Sequence, residues 1–450
     1  MSGYAEYREV NLPWLKAVPA HWEIRRNKNI FTEQKEIVGE MSADYTLLSL
    51  TLNGIIPRDM DGGGKFPESF DKYKIVKNGD MAFCLFDIDE TPRTVGLSGY
   101  NGMLTGAYTI MRVSNINARF IYYYYLALDN GKMLRPLYTG LRKTININTF
   151  QSTKVPVPLR EEQDQIVRFL DWKVSSINKL INIKKKEIKA IDALKRSMVS
   201  HAITRGLTTD APMKDSGVKW LGDIPAHWKI TKLRQILHPV SEKNHPEFPL
   251  LSVVREQGVI LRDVEDKEAN HNFIPDDLSG YKVVRKGQFA MNKMKAWQGS
   301  YGVSDYTGIV SPAYFIFDIA FENLEYFHYA IRSKVYVNFF AQASDGIRVG
   351  QWDLQMDKMK EIPFIVPPAD EQIAIVKYIK QALPQYDAAI EKLTEEVAVL
   401  EEYKNKVIAD AVTGNIDVRG IEIPEYEFVD EDTDADNEDD GEEDTEEQED

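Results

Sequence analysis

The chain has 450 residues, room for two or three domains, and 43 % are hydrophobic, as is usual for a protein that buries a core. It contains no run of about 18 apolar residues, which excludes a membrane-spanning helix, and its polar first residues exclude a signal peptide. The single cysteine, Cys84, excludes an internal disulfide, so we expect a cytoplasmic protein.

The formal net charge of −15 is unevenly distributed along the chain. Residues 421–450 contain eighteen Asp and Glu and no Lys or Arg, so the remaining residues are slightly basic. A segment of this kind repels itself and has little to bury, which predicts a disordered acidic tail over residues 417–450. Its simplest role is to keep the protein soluble. The alternative is mimicry of DNA, in which the tail competes for a basic surface.

Short blocks of sequence recur at offsets of 203 to 209 residues. Val18-Pro-Ala-His-Trp22 returns as Ile224-Pro-Ala-His-Trp228, and Glu162-Gln163 returns as Glu371-Gln372. The repeated unit of about 200 residues is too long for a solenoid repeat and indicates a duplicated domain. The histidines of the first block, His21 and His227, are expected in packed loops beside the neighbouring tryptophans.

Each unit is predicted to begin with a mixed α/β domain and to end in a long helix. Short β-like runs such as Gly106–Val113 and Ile309–Phe317 alternate with Gly, Asp and Asn in the first part. The second part has helical periodicity and no glycine until Gly206 or Gly414, which we predict to stop the helices. The predicted order is an α/β domain (1–160), a helical spacer (161–207), a linker (208–217), an α/β domain (218–369), a helical spacer (370–416) and the tail (417–450).

The two helices carry apolar residues at coiled-coil spacing. The seam of the second helix consists of Tyr386, Ile390, Leu393, Val397, Leu400, Tyr403, Val407 and Ala411. An offset of 209 gives the corresponding seam of the first helix: Ile177, Ile181, Lys184, Ile188, Ile191, Leu194, Met198 and Ala202. We therefore expect the helices to pack together, and to be antiparallel if a two-fold axis relates the units.

The 26 residues Ile177–Ala202 would span about 39 Å, close to the length of about 34 Å for one turn of B-DNA. Such helices could therefore separate two DNA readers by a fixed distance. The pattern alone is equally compatible with a coiled-coil adaptor that binds no nucleic acid.

The residue patterns of common DNA enzymes are missing from this sequence. It contains no P-loop, no Asn-Pro-Pro-Tyr-like methyltransferase motif and no glycine-rich nucleotide-binding turn. Its seven histidines do not cluster at the spacing of metal ligands. Asp87 and Asp89 form an isolated acidic pair that we expect to be solvated. The sequence therefore predicts no catalytic and no metal site in this chain.

Polar and basic residues in several loops are candidates for DNA contacts. Arg and Lys bind phosphates, while Arg, Lys, Asn and Gln also recognise base edges. In the first unit the candidates are Asn53, Arg58, Lys65, Arg93, Arg142, Lys143 and Thr144; in the second they are Arg255, Arg262, Lys293, Lys295, Gln298, Arg348 and Gln351. Arg142 and Arg348 occupy matching positions, each two residues after a glycine and shortly before the long helix.

The order of these motifs resembles that of type I restriction–modification specificity subunits. The resemblance rests on Trp220-Leu-Gly-Asp-Ile-Pro-Ala-His-Trp228 at a domain start, Pro156-Val-Pro158 followed by Glu162-Gln163 at a helix start, and His201-Ala-Ile-Thr-Arg-Gly-Leu207 at its end. It covers residues 10 to 416 but not the acidic tail.

The resemblance implies a non-catalytic subunit whose two α/β target-recognition domains each read one half of a split DNA target. The long helices would form an antiparallel coiled coil that fixes the unread gap. Two methyltransferase subunits with S-adenosylmethionine would bind the helices and methylate adenine. Motor–nuclease subunits, using ATP and Mg²⁺, would cleave DNA in systems that restrict. This chain would itself carry no cofactor.

Overall fold

One structural frame occurs twice in a computed structural model of the chain. The structure describes residues 2–52, 54–58, 67, 69–140, 143–263, 274–275, 277–348 and 351–430, with only the backbone described at 347, 348 and 351. Within these residues, the first unit takes the chain up to Lys186 and again from Thr394 onward, and the second unit is Glu187–Leu393. The boundary between the units therefore falls inside both long helices.

The first unit is built around a four-stranded antiparallel sheet with strand order β4-β11-β8-β9. Helix α1 covers this sheet with a nearly continuous buried surface, which includes Phe120, Ile121, Tyr124 and Tyr125. The strands are β1 (Tyr7–Leu12), β2 (Leu15–Pro19), β3 (Glu23–Arg26), β4 (Phe31–Gln34), β5 (Leu48–Thr51), β6 (Gly54–Pro57), β7 (Lys74–Val76), β8 (Asp80–Phe83), β9 (Val95–Leu97), β10 (Gly102–Leu104), β11 (Thr109–Val113) and β12 (Lys154–Val157); the helices are α1 (Ala118–Asn130), α2 (Ile147–Ser152) and α3 (Arg160–Arg205).

The second unit repeats this sheet with the order β16-β23-β20-β21. Its two-stranded pairs β13-β14, β15-β26, β17-β18 and β19-β22 repeat β1-β2, β3-β12, β5-β6 and β7-β10, while β24-β25 is an additional hairpin. The strands are β13 (Met213–Asp215), β14 (Asp223–Pro225), β15 (Lys229–Lys232), β16 (Leu237–Val240), β17 (Leu251–Val254), β18 (Gly258–Leu261), β19 (Lys282–Val284), β20 (Phe289–Met291), β21 (Tyr301–Val303), β22 (Gly308–Val310), β23 (Phe315–Ile319), β24 (Ser344–Arg348), β25 (Gln351–Leu354) and β26 (Pro363–Val366); the helices are α4 (Leu324–Ile331), α5 (Lys334–Gln342), α6 (Met356–Lys360) and α7 (Ala369–Thr413).

The predicted mixed α/β class and the duplication are therefore confirmed, with two local corrections. Residues 208–217 are not a plain linker, because β13 lies within them and pairs with β14 as the opening hairpin of the second unit. The β-like run Ile309–Phe317 is two strands, since a turn containing Pro312 separates β22 from β23.

Each α/β domain is fastened to the start of a long helix by the repeated motifs. In the first unit, Trp22 Nε1 donates to Glu162 Oε1 at 3.0 Å and His21 Nε2 lies 2.8 Å from Glu162 Oε2. Tyr4 also donates its hydroxyl to this carboxylate, at 2.7 Å. We call this arrangement the latch. It confirms that the repeated histidine lies in a packed loop beside a tryptophan.

The second unit has the same latch with fewer donors. Trp228 Nε1 donates to Glu371 Oε2 at 2.9 Å, and His227 Nε2 lies 2.5 Å from Oε1. The glutamine that follows each glutamate also has a matching role. The Nε2 atoms of Gln163 and Gln372 both donate at 2.8 Å to the carbonyl of the residue five positions earlier.

The long helices pack on each other in antiparallel orientation within each unit. In the first unit, Asn178 of α3 meets Lys404 of α7, and Lys184 Nζ lies 2.8 Å from Glu396 Oε2. Residue numbers thus rise along α3 while they fall along α7. In the second unit, Lys195 Nζ lies 2.5 Å from Asp387 Oδ1. Both helices end where predicted, since Gly206 and Gly414 have φ of +74° and +78°.

The predicted seam is only partly buried. Ile177, Ile181, Val397 and Val407 are buried, whereas Leu194 and Tyr403 are 60 % and 41 % exposed. Ala202 and Ala411 are also buried, and the other seam residues are half-buried: Lys184, Ile188, Ile191, Met198, Tyr386, Ile390, Leu393 and Leu400. In a pair of helices, each helix is covered on one side only. Positions that repeat every seven residues rotate by about 20° per heptad around a straight helix, so some of them leave the covered side. Placing Leu194 and Tyr403 in the seam was therefore wrong.

Residues Val418–Asp430, which we call the strap, also differ from the sequence-based expectation. They were predicted to be disordered, but they lie along α3 and are hydrogen-bonded to its side chains. Ile421 and Ile423 also pack on the core of the first unit. The tail is acidic overall, and the few apolar residues near its start gave no signal strong enough to predict this docking. Residues 431–450 lie outside the described part of the chain.

Candidate nucleic-acid interface

Each unit brings together two loops that are far apart in sequence. The first follows the central strand β8 or β20 and is called the sheet-end loop (84–94 and 292–300). The second precedes β12 or β26 and is called the hairpin (138–145 and 344–354). In the first unit, the N–H of Ile145 donates to Leu85 O at 2.8 Å, which joins the hairpin to the loop. Most of the predicted DNA contacts lie on these two segments.

In the first unit the two segments meet through charges around Asp89. Its carboxylate accepts from Arg135 Nε at 3.0 Å and from Tyr138 Oη at 3.2 Å, and Lys143 Nζ lies 3.2 Å away. The hydrogen bond from Arg135 lowers the pKa of Asp89, followed by the bond from Lys143. The expectation of a simply solvated Asp89 was wrong.

This cluster holds two cations against one carboxylate and keeps them accessible. The Arg135 and Lys143 side chains are 64 % and 46 % exposed, so a phosphate could approach either of them. Lys143 was a predicted DNA contact, and its φ of +45° places it in the tight part of the hairpin. Thr144 closes the same turn, donating its hydroxyl to Thr139 O at 3.2 Å. Arg135 was missed because it lies in a helical turn outside the glycine-rich pattern.

Arg93 has an internal role that differs from the predicted one. Its guanidinium donates to Asp129 Oδ2 at 3.2 Å and to Asn130 Oδ1 at 2.6 Å, and its side chain is only 15 % exposed. Asp129 is itself 2 % exposed and also accepts from Lys132 and Thr94. Arg93 thus anchors the sheet-end loop to the end of α1, and little of its side chain is left accessible to DNA.

In the second unit the corresponding segments meet mainly through aromatic stacking. The rings of Trp297 and Trp352 are stacked with centroids 5.3 Å apart and an interplanar angle of 25°. Beside them, Lys293 Nζ lies 2.8 Å from Asp353 Oδ1. Trp352 is 36 % exposed, so part of its ring remains available for another flat group. Neither tryptophan was among the predicted contacts.

The sheet-end loop of the second unit is a closed turn. Asn292 is buried and its Oδ1 accepts from the N–H groups of Met294 and Lys295 at 3.0 and 3.3 Å. The backbone N–H of Gln298 in turn donates to Lys295 O at 3.1 Å. The predicted contacts Lys295 and Gln298 are therefore held on a defined backbone, and both side chains are half-buried.

Arginines also follow matching strands in the two units. Arg58 and Arg262 each donate a backbone N–H to a leucine carbonyl, at 2.9 Å to Leu47 and 3.0 Å to Leu250. Arg255 lies in the turn between β17 and β18, whose carbonyls at 255 and 256 accept from Arg332 Nη2 at 2.9 and 2.7 Å. Arg332 thus fixes the turn that carries Arg255, which forms an ion pair with Glu256 at 3.5 Å.

His328 lies on α4 close to Arg332. Burial, followed by the charge of Arg332, lowers the pKa of His328 to about 4. Its Nδ1 accepts from the N–H of Val303 at 3.3 Å, which requires the neutral ring. Helices α1 and α4 both begin after a capping asparagine, Asn117 and Asn323. When the two units are aligned on these asparagines, Tyr122 of the first unit corresponds to His328 of the second.

The remaining predicted contacts are only partly covered by the structure. Asn53, Lys65 and Arg142 lie outside the described residues. Arg348 and Gln351 pair across the hairpin strands β24 and β25, and only their backbone is described. The assignment of these five residues to DNA, like that of the other candidates, stays a prediction.

Over the described ranges, no group of three or more His, Cys, Asp or Glu side chains is placed to hold a metal ion. In the same part of the chain, no helix is both long and apolar enough to cross a membrane. Cys84 is buried, its thiol donates to Phe86 O at 3.2 Å, and burial raises the pKa of the thiol. This environment keeps the thiol protonated and poorly reactive.

The chain is similar to specificity subunits of type I restriction enzymes. Residues 66–190 match the family model described as the type I restriction modification DNA specificity domain. The type I restriction enzyme MjaVIII specificity subunit of Methanocaldococcus jannaschii is 24 % identical over 446 residues, which cover 92 % of this chain and 98 % of the relative. The putative MjaX specificity subunit of the same organism is 23 % identical, covering 89 % and 95 %.

The fold agrees with these sequence matches. A chain from a solved structure concerning complex assembly and conformational transition of the type I R-M system superposes with a TM-score of 0.57. It is 13 % identical, and the superposition covers 89 % of this chain and 99 % of that one. The sequence matches, the duplicated domains and the paired long helices agree, and the proteins that this chain resembles are type I restriction–modification specificity subunits.

Proposed function

We propose that the chain reads a bipartite DNA target, one half with each unit, on behalf of partner subunits that carry out the chemistry. The observation that supports this most strongly is the pair of equivalent interfaces. The same backbone frame presents a sheet-end loop and a hairpin twice, with charged contacts in one unit and stacked tryptophans in the other. A duplicated frame with different contact chemistry suits the recognition of two different half-sites.

The partners follow from the family. Two methyltransferase subunits would bind the helical region, supply S-adenosylmethionine and methylate adenine in the recognised sequence. Where the system also restricts, two motor–nuclease subunits would use ATP and Mg²⁺ to cleave unmodified DNA. The chain itself would contribute recognition and spacing only.

The decisive experiment is to co-express the chain with its methyltransferase partner and to map adenine methylation on the host DNA. A split methylated motif is expected. Exchanging residues 218–369 for the equivalent domain of a relative should change one half of the motif and leave the other. If a stable complex forms but no motif is methylated, the DNA-reading role fails and a coiled-coil adaptor becomes the better description.

The spacing role has a separate test. Seven residues inserted after Lys186 in α3 and seven after Leu393 in α7 would lengthen both helices at the boundary between the units. The gap between the half-sites should then change while the half-sites themselves stay the same. As a control, the same seven residues inserted into only one of the two helices should abolish methylation, since the helix pair would lose its register. An unchanged gap in the double insertion would rule out a ruler.

Phosphate contacts are tested through the salt dependence of binding. Lys143→Ala, Arg142→Ala and Arg348→Ala should each weaken DNA binding and reduce the slope of log K against log salt by about one unit. Lys77→Ala is the control, because Lys77 is exposed and precedes β8, at the opposite end of that strand from the sheet-end loop. A slope equal to that of the unmodified chain would remove the substituted residue from the interface.

A further inference from the structure

The strap follows one face of α3 through a row of side-chain hydrogen bonds. Gln165 Nε2 donates to Val418 O and Ile421 O at 3.0 and 2.8 Å. Further along, Ser175 bonds both neighbours of Phe428: its hydroxyl donates to Glu427 O at 3.1 Å and accepts from the N–H of Val429 at 2.8 Å. These bonds hold the strap by its backbone, so they fix its path without depending on its acidic side chains.

The last contacts in this row are made by two asparagines. Asn178 Nδ2 donates to Val429 O at 3.3 Å, and Asn182 Nδ2 donates to Asp430 O at 2.9 Å. Ser175, Asn178 and Asn182 are all buried, and their spacing of three and four residues places them on one helix face. Higher residue numbers in the strap contact higher residue numbers in α3. The strap therefore runs parallel to α3, and its path points towards the middle of that helix.

The next positions on this face are lysines. Lys185 and Lys186 follow Asn182 by three and four residues, which places them one turn further along the same face. An extended chain advances about 3.3 Å per residue and a helix about 1.5 Å, so two residues beyond Asp430 cover roughly one helical turn. Those residues are Glu431 and Asp432, the start of a 20-residue segment with fourteen acidic and no basic residues.

The duplicated helix lacks this arrangement. An offset of 209 replaces Ser175, Asn178 and Asn182 by Pro384, Asp387 and Glu391 in α7, and replaces the two lysines by Thr394 and Glu395. The face of α7 therefore offers neither amides for a peptide backbone nor positive charge for an acidic segment. Both features occur together in the helix copy on which the strap lies.

We propose that the acidic segment after Asp430 docks on the Lys185–Lys186 face of α3. Its first carboxylates, from Glu431 to Asp436, would lie against the two ammonium groups, and the strap would deliver them there. Docking of this kind places a local polyanion on the helix pair, which screens the lysine charge from other polyanions. Opposite charges held this close attract most strongly at low ionic strength, because physiological salt screens exposed pairs over about 8 Å.

Zero-length carbodiimide cross-linking of the full chain tests the docking directly, since it joins a carboxylate to a lysine in contact with it. Mass spectrometry should identify cross-links between residues 431–436 and Lys185 or Lys186 at low salt. These cross-links should decline in about 1 M salt, where the Debye length falls to about 3 Å. Cross-links spread over lysines throughout the chain, or made equally to Lys16 and Lys77, would overturn the proposal.

Two variants sharpen this result. Lys185→Gln with Lys186→Gln should abolish these cross-links, while the control pair Lys16→Gln with Lys77→Gln should leave them unchanged. Asn178→Ala with Asn182→Ala removes the last two strap contacts and should reduce the yield several-fold although both lysines remain. If the yield is unaffected by releasing the strap, the strap does not guide the segment and the proposed geometry is wrong.

The consequence for DNA rests on the proposed function. A chain truncated after Asp430 retains the strap and should bind non-specific duplex DNA several-fold more tightly at low salt, with a steeper salt dependence. Equal affinities would overturn the screening role. Failure of both chains to bind DNA would count against the proposed function instead, and the cross-links would still decide whether the segment docks.

Discussion

The two units share a frame but differ in what supports their exposed loops. In the first, Asp89 draws Arg135 and Lys143 together, and the adjoining helix α1 presents Tyr122 and Leu126. In the second, Trp297 stacks on Trp352, and the adjoining region presents His328 and Arg332 at the matching positions. The contacts of tryptophan and histidine with the latch glutamate, and the strand order, are the same in both. The duplicated chain has thus kept the residues that hold domain to helix and has varied those around the loops.

The largest expected effect concerns the latch, where the two units differ in burial. Glu162 is 6 % exposed and accepts from three groups, so Glu162→Ala leaves buried donors unpaired and should lower the free energy of unfolding by about 3 kcal/mol. Glu371→Ala should cost about 1 kcal/mol, because this side chain is 33 % exposed and accepts from two groups. Urea unfolding, monitored in each unit by amide hydrogen exchange, measures the loss in free energy of unfolding for both variants.

Glu162→Gln is the matched control, since it keeps one acceptor oxygen and should fall between the unmodified chain and the alanine variant. Equal losses for Glu162→Ala and Glu371→Ala would show that the additional hydroxyl of Tyr4 and the deeper burial contribute nothing.

A second difference is sensitivity to acid. The pKa of His328 is lowered to about 4 in the folded chain against about 6.5 in the unfolded chain, so unfolding takes up a proton between these values. The stability of the second unit should therefore fall by about 2 kcal/mol as the pH drops from 7 to about 4.5. Hydrogen exchange at several pH values measures this loss.

His328→Asn removes the titrating ring and should flatten this pH dependence in the second unit, even if it lowers stability at all pH values. The first unit has Tyr122 at the matching position and should not show the same loss. An unchanged pH profile in the variant would assign the effect to other groups.

The third prediction concerns DNA and rests on the proposed function. Trp352→Ala removes apolar ring surface that bound DNA would cover, and should weaken binding by about 1.5 kcal/mol, roughly ten-fold in affinity. The loss of affinity should depend only on the sequence of the half-site that the second unit reads, and not on the other half-site. Trp352→Phe, which keeps an aromatic face, should recover part of it. Competition binding with DNA altered in one half-site at a time makes the measurement.

The smallest effect is expected for the ion pairs between the long helices. Lys184 and Glu396 are 29 % and 41 % exposed, so Lys184→Glu should cost about 0.5 kcal/mol, and adding Glu396→Lys should restore it. In the second unit, Lys195→Glu with Asp387→Lys should behave in the same way. Thermal unfolding of the single and double variants measures the coupling. No recovery in either double variant would mean that the pairs contribute no direct attraction.

Much of the architecture could be predicted from the sequence because its signals are local or repeated. The duplication, the ends of α3 and α7 at Gly206 and Gly414, and the packed loops around His21 and His227 all follow from short motifs. Antiparallel packing followed from the symmetry of the repeat. The seam was less predictable, because Leu194 has the coiled-coil spacing yet is 60 % exposed.

The interface was harder to predict because its geometry depends on residues distant in sequence. Arg93 resembled a free loop cation, and only the fold reveals Asp129 beside it. The contact between Trp297 and Trp352 joins positions 55 residues apart, with α4 and α5 between them. The strap was missed for a related reason: its binding groups are ordinary Ser and Asn side chains on α3, and its own contribution comes from the backbone.

The division of the chain between the units has a consequence for the order of folding. Within the described residues, the second unit is one continuous stretch, Glu187–Leu393, whereas the first also requires the end of α7 and Val418, which enter its core. During synthesis the second unit is therefore complete on the growing chain before the first, although its residues emerge later. Until this part of α7 has been synthesised, the first unit exposes the apolar surface that Val407, Ile408 and Val412 later cover, which makes the incomplete chain prone to aggregation.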